Sequence, residues 1–155
     1  MVRKSAGILL YRLVDNQLEV FLVHPGGPYF VNKDVGVWSI PKGEFDEHED
    51  ALTAAKREFE EETGQPIQGA FTPLQTIKQK GGKLVQAWAV KGDIDHKVVA
   101  SNTFKMEYPY KSGKWITVPE IDKAAWFTAE EAKEKIIGAQ AALIEELTEL
   151  LFNQS

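Results

Sequence analysis

Residues 41–65 read PKGEFDEHEDALTAAKREFEEETGQ. Glu58, Glu60, Glu61 and Glu62 crowd the end of this stretch, and like charges at helical spacing repel one another. The stretch is nevertheless marked as a helix at both ends. Asp46 with Glu49 three residues later has the spacing of a capping box. Gly64, directly after Thr63, suits the left-handed position that closes a helix. The spacing predicts a helix from about residue 47 to residue 63. At about 100° per residue, Leu52, Ala55 and Phe59 share a buried face. Glu58, Glu61 and Glu62 fall on an arc of roughly 100° beside that face. Glu60 points away from them, with Lys56 one turn behind it, and reads as solvated.

The three remaining carboxylates are poorly placed in the absence of a cation. Glu58 and Glu62 form a like-charge i,i+4 pair, which costs ~0.2–0.5 kcal/mol even on an exposed helix. A cleft of lower dielectric increases that cost. The C-terminal half of a helix is also the unfavourable end for anions. A divalent cation reverses the sign of all three effects. Oxygen-only ligands favour Mg²⁺ or Mn²⁺, with Ca²⁺ also admitted. Arg57, next to Glu61 around the helix, fits as a residue that orients the carboxylates. The competing reading is a plain solvated acidic face, which is the commoner use of such a run.

The rest of the chain narrows the setting. Its 155 residues suit one domain with a sizeable core, and 43% hydrophobic with 26% charged content is a globular profile. The net charge of −5 argues against a partner such as a nucleic-acid polymer. It leaves room for a small phosphorylated ligand if a metal supplies the positive charge. The absence of cysteine removes disulfides, thiolate zinc sites and cysteine nucleophiles, and fits a reducing, cytoplasmic setting. Arg12 interrupts the apolar run after the basic start MVRKSAGILLYRLV, so an amphipathic first strand is preferred to a signal peptide. No apolar run is long enough to span a membrane.

Working outward, AGILLYRLV (6–14) and LEVFLVH (18–24) read as strands joined by a turn at Asp15-Asn16-Gln17. Residues 25–34 form an aromatic loop, VWSI (37–40) a short strand. QTIKQK and KLVQAWAV read as a hairpin about Gly81-Gly82, whose glycines supply the positive φ of a tight turn. Residues 92–123 read as one long irregular segment. AAWF (124–127) is a strand, Thr128 with Glu131 caps a helix, and AALIEELTELLF (141–152) is a second one. Leu143, Leu147, Leu150 and Leu151 on it suit core packing, the commoner outcome, or the face of a homodimer.

The fixed positions of the opening stretch resemble the Nudix box. Gly43, Glu49, Arg57-Glu58-Phe59, Glu61-Glu62 and Gly64 stand at its spacing within residues 43–65; only Gln65 departs, where the family carries an apolar residue that Pro66-Ile67 can replace. AGILLYR, VWSIPKGE and DKAAWFTAEEAKEKI are similar to Nudix domains too, so the resemblance covers most of residues 1–155. It implies an α/β/α sandwich around a mixed β-sheet in a single domain. It implies hydrolysis of a nucleoside diphosphate linked to another group: water attacks phosphorus and a phosphate leaves. By the same resemblance Glu58, Glu61, Glu62 and the backbone carbonyl of Lys42 hold the metal, Mg²⁺ or Mn²⁺. Glu58 is the expected general base, although some members use a carboxylate outside the box. Arg57 and Glu61 complete the expected catalytic set. Gly43 lets the backbone approach metal and phosphate closely.

Outside the box, the Lys42 side chain and Trp38 are carried as substrate-binding candidates with Gly43, although core burial is the commoner fate of such a tryptophan. Tyr29, Phe30, Phe104, Tyr108 and Tyr110 are alternatives for stacking on a base. Lys78, Lys80, Lys83, Lys105, Lys111 and Lys114 are further polyphosphate candidates. Glu107 and Glu120 are candidates for an additional ligand or base. His24, His48 and His96 have no metal-ligand spacing. The expected substrate is a small-molecule nucleotide, a nucleoside triphosphate or a dinucleoside polyphosphate. The alternatives are ADP-ribose, a nucleotide sugar, an inositol pyrophosphate, or a regulatory module that binds nucleotide without turnover.

Overall fold

The computed structural model describes residues 2–152. In chain order its elements are β1 (Lys4–Val14), β2 (Gln17–Pro25), β3 (Lys42–Glu44), α1 (Ala51–Thr63), β4 (Thr72–Pro73), β5 (Ile77–Lys78), β6 (Leu84–Lys91), β7 (Thr103–Glu107), β8 (Trp115–Pro119), β9 (Ile121–Thr128), α2 (Ala129–Lys135) and α3 (Ala141–Phe152). The main sheet runs β4-β6-β1-β2-β9, with β3 added to β1 and β5 to β6. β1 and β6 are parallel, from Lys4 opposite Leu84 to Tyr11 opposite Lys91, whereas the other ladders are antiparallel. The sheet is therefore mixed.

Helices cover both faces of this sheet, so its central strands read as continuous apolar runs. Side chains alternate across the sheet. Ala6, Ile8, Leu10, Phe21 and Val23 pack with Ala54, Ala55 and Phe59 of α1. Leu9, Leu18, Val20 and Leu22 pack on the other side with Ala132, Leu143, Ile144 and Leu147 of α2 and α3. Leu143 and Leu147 are buried, and Leu150 and Leu151 pack against the same cluster, so the leucines of α3 serve the core. Ile67 is buried beside Phe59, taking the apolar role at the helix exit that Gln65 does not fill.

Both predicted turns are present. Asp15 and Asn16 have φ of 51° and 67°, and Gly81 and Gly82 have φ of 90° and 84°. Three expectations change. α1 begins at Ala51, not near residue 47: Asp50 caps it by accepting from the Thr53 N–H. Asp46 instead accepts from the His48 N–H, and Glu49 turns back to Arg57. Residues 37–40 make only isolated bridges, Val23 with Ser39 and Trp38 with Ile136. The Ile40 N–H goes to the buried Gln140 side chain instead of to a ladder. The segment 92–123 is not irregular throughout: β7 and β8 pair as a separate hairpin, and β9 starts at Ile121.

Candidate active site

Three elements converge at the C-terminal half of α1. β3 brings Gly43 beneath the helix, α1 carries the glutamates, and the β8–β9 junction brings Glu120. The segment before β7 ties the last of these to the helix. The Ala100 N–H donates to the Thr63 carbonyl (3.0 Å), the Asn102 N–H to that of Glu61 (2.9 Å), and the Glu120 N–H to that of Asn102 (2.9 Å). Ser101 Oγ also accepts from the Ile121 N–H at 3.0 Å.

Arg57 organises the acids. Its Nε and Nη2 donate to the two oxygens of Glu49 at 2.8 Å each. Its Nη1 reaches Glu58 Oε1 at 2.8 Å and Glu61 Oε1 at 3.2 Å. One guanidinium thus faces three carboxylates, and its pKa is pushed up, above all by the bond to Glu49. Glu49 in turn is held below the usual carboxylate range by that same bond. Glu58 is raised nonetheless, because burial outweighs the Arg57 bond and Glu61 adds repulsion. Glu62 is pushed up to about 8 by burial, against the Lys42 N–H that reaches its Oε1 at 3.3 Å. Glu120 is raised by burial and then by the charge of Glu61. The Lys42 ammonium is lowered, first by burial and then by the charge of Lys83. Glu60 is exposed, beside Arg57 and Glu61 at a surface depression outside the cleft.

Gly43 is required here by contact. A β-carbon at this position would run into the carboxyl group of Glu58. Its φ is not in the left-handed region, so alanine is allowed by the backbone and excluded by the neighbour. Gly43→Ala is expected to displace Glu58, to cost about 1–3 kcal/mol as an overpacked site, and to remove metal-dependent activity. Thermal melts and turnover assays of that variant check both effects.

Beside the acids lies a cleft of about 310 Å³, lined by Val23, Pro25, Phe30, Val37, Ile121 and Ile137 on its apolar side and by Lys42, Glu62 and Glu120 at its acidic end. Its size and mixed lining are those of a small-molecule site. The structure therefore distinguishes among the sequence candidates. Glu58, Glu61, Glu62, Arg57, Lys42 and Gly43 come together. Trp38 does not line the cleft: it is 4% exposed, packs between His24 and Phe127, and donates its indole N–H to Asp34 at 2.8 Å. Glu120 joins the acids, whereas Glu107 accepts from the Lys111 and Gly113 N–H groups in the β7–β8 turn. Phe30 is the aromatic that lines the cleft, and Tyr29 stacks edge-on against Tyr108 outside it. Lys42 is the lysine in the lining.

Two observations bear on whether these residues fit a divalent cation. The donor set is all oxygen, and burial has raised two carboxylates of the helix although Arg57 and Lys42 stand beside them, so more positive charge would be accommodated there. Gly43 leaves a cradle over Glu58 that a β-carbon would fill. Among the described residues no group of three acidic or histidine side chains is arranged to hold an ion as they stand. Glu61 is turned to Arg57 and Glu62 to the Lys42 amide. The fit lies in donor chemistry and charge. Among the described residues, no helix is long and apolar enough to cross a membrane.

A family model described as NUDIX domain matches residues 1–147. A search of curated proteins gave no match. Among solved structures, the chain is similar to a C. elegans Ap4A hydrolase binary complex, with 23% identity, a TM-score of 0.65 and coverage of 99% of this chain and 100% of that one. It is similar to the NUDIX domain of Shewanella oneidensis NrtR complexed with ADP ribose, at 18% identity and a TM-score of 0.65 over 97% of this chain and 89% of that one. A mutT/nudix family protein from Listeria innocua matches at 16% identity and a TM-score of 0.63, over 97% and 94% of the two chains. At these identities the structures speak for the fold.

Proposed function

The chain belongs to the Nudix family of pyrophosphohydrolases, and on that premise we propose that it cleaves a pyrophosphate linkage in a small nucleotide at the cleft beside α1. One observation carries the reading: an aromatic and apolar slot opens directly onto a cluster of carboxylates raised by burial. The slot suits a base and the cluster suits a metal-bound polyphosphate. A nucleoside triphosphate or a dinucleoside polyphosphate is the proposed substrate, in a cytoplasmic setting that rests on the cysteine-free composition.

Glu58, Glu61 and Glu62, with the Lys42 carbonyl, would hold Mg²⁺, or Mn²⁺ in its place. Such an ion, when bound, neutralises phosphoryl charge and acidifies a coordinated water. The chain does the rest. Arg57 binds one oxygen of Glu58 and fixes the direction of the other. Glu58 accepts the proton of the attacking water as its oxygen bonds to phosphorus. The bond from phosphorus to the bridging oxygen breaks, and the leaving phosphate departs with that electron pair. Phe30 borders the base, and the Lys42 side chain reaches the anionic part of the ligand. Glu120 stands across the cleft end as a fourth carboxylate and is the alternative base.

Phosphate and pyrophosphate release tests this with nucleoside triphosphates, dinucleoside polyphosphates, ADP-ribose and nucleotide sugars. Turnover is expected with Mg²⁺ and not with EDTA. Glu61→Gln is expected to lower it on the order of 10²-fold, the scale of losing one electrostatic stabiliser. Tight nucleotide binding with no turnover on any substrate would instead indicate a regulatory module.

A further inference from the structure

We propose that His24 is a positioning residue that holds the 26–37 loop as the wall of the cleft and so sets nucleotide affinity without taking part in the chemistry; this rests on the reading of the cleft given above. His24 is fully buried at the end of β2. Its Nε2 lies 2.7 Å from the Lys33 carbonyl oxygen and its Nδ1 2.7 Å from Asp122 Oδ1. A carbonyl has no proton to offer, so Nε2 carries the hydrogen and donates it. Nδ1 faces the Asp122 carboxylate, which fixes the ring from behind. A strand of the sheet, β9, is thereby linked through one imidazole to the middle of a surface loop.

The loop has few other attachments. Tyr29, Phe30, Val31 and Val35 are exposed, so apolar burial does not fix it. Its first end is held by the Gly26 N–H donating to the Glu120 carbonyl at 2.9 Å. Its last end is held by Asp34, which accepts from the Trp38 indole and pairs with Lys135, and by the Gly36 N–H donating to the Lys135 carbonyl at 3.0 Å. Between these ends Tyr29 packs edge-on against Tyr108, and His24 supplies the buried side-chain hydrogen bond to the loop backbone. Phe30, Gly36 and Val37 lie on either side of Lys33, and all three line the cleft. Releasing Lys33 would free the wall facing the nucleotide and leave α1 and Gly43 as they are.

The two ring nitrogens can be separated by substitution. An asparagine amide nitrogen stands near the position of Nδ1 and a glutamine one near that of Nε2. His24→Asn therefore keeps a donor toward Asp122 and loses the Lys33 carbonyl, and His24→Gln does the reverse. Hydrogen exchange of the 26–37 segment, with β6 as the internal reference, is measured beside steady-state kinetics. In His24→Asn, exchange of the loop is expected to rise about tenfold or more while β6 is unchanged, as for a local opening. KM for the nucleotide is expected to rise about tenfold with kcat within about twofold, as for lost uniform binding. His24→Gln is expected to restore both toward wild type. Unchanged loop exchange in His24→Asn would overturn the proposal, as would a fall in kcat at constant KM, or equal loss in both variants. Wild-type protein that neither binds nor turns over any nucleotide would overturn the function itself, and the exchange data would still decide whether His24 holds the loop.

Discussion

Glu58→Gln is expected to lower kcat by about 10³-fold, within the 10²–10⁴ typical of a lost general base, while the protein stays folded. Glutamine matches glutamate in shape, and its carbonyl oxygen can still accept the Arg57 Nη1–H that reaches Glu58 Oε1 at 2.8 Å. Gly43 leaves room for the same group. What disappears is a proton acceptor and a negative charge. The metal-free variant should melt at or above the wild-type temperature, because burial penalises the charge at this position. A single-turnover assay with saturating Mg²⁺, read beside a thermal melt, separates the two effects. Wild-type turnover in Glu58→Gln, with a large loss in Glu120→Gln, would move the base to the β8–β9 junction.

The second large effect is on stability. Glu62 has its carboxyl pushed up to about 8 by burial in the metal-free chain. In the unfolded chain it titrates near the ordinary glutamate value. A raised carboxyl binds its proton more tightly when folded, so its contribution is full below the unfolded pKa and is lost as pH rises toward about 8. Every tenfold gain in proton affinity on folding is worth about 1.4 kcal/mol, so several kcal/mol are at stake. Metal-free protein is therefore expected to become less stable between about pH 4.5 and pH 8. Glu62→Gln should flatten that slope. Added Mg²⁺ should raise the melting temperature most at the alkaline end, since it binds the folded, ionised form. Denaturant melts across this range, with and without EDTA, read the effect directly. A flat profile in metal-free wild type would mean that Glu62 is better solvated than its burial suggests.

The helix at residues 51–63 was legible because its charges follow one periodicity and its end carries a glycine. Its start was not. Asp46 and Asp50 both stand ahead of apolar residues; Asp50 takes the cap by accepting from the Thr53 N–H, while Asp46 closes a turn on the His48 N–H and Glu49 is drawn to Arg57. The β7–β8 hairpin was hidden by composition: YPYKSGK, with proline and glycine between two short alternating runs, reads as loop to any local rule. Glu107 and Glu120 were indistinguishable as letters. The fold separates them, since one serves a turn and the other follows the last residue of β8 into the cleft. Trp38 had the composition of a pocket residue and the neighbours of a core one. His24 gave no metal spacing, and its partners Lys33 and Asp122 lie 9 and 98 positions away, beyond any pattern.

The parallel ladder between β1 and β6 has a consequence during synthesis. Lys4 meets Leu84 and Tyr11 meets Lys91, so the central strand must wait for a partner 80 residues downstream. The acidic helix lies inside that interval. It leaves the ribosome and must remain tractable while the sheet it packs against is half built, and contacts so distant in sequence form slowly. Charge repulsion among the α1 glutamates, a burden in the folded helix, would at this stage oppose self-association of the segment before the sheet closes.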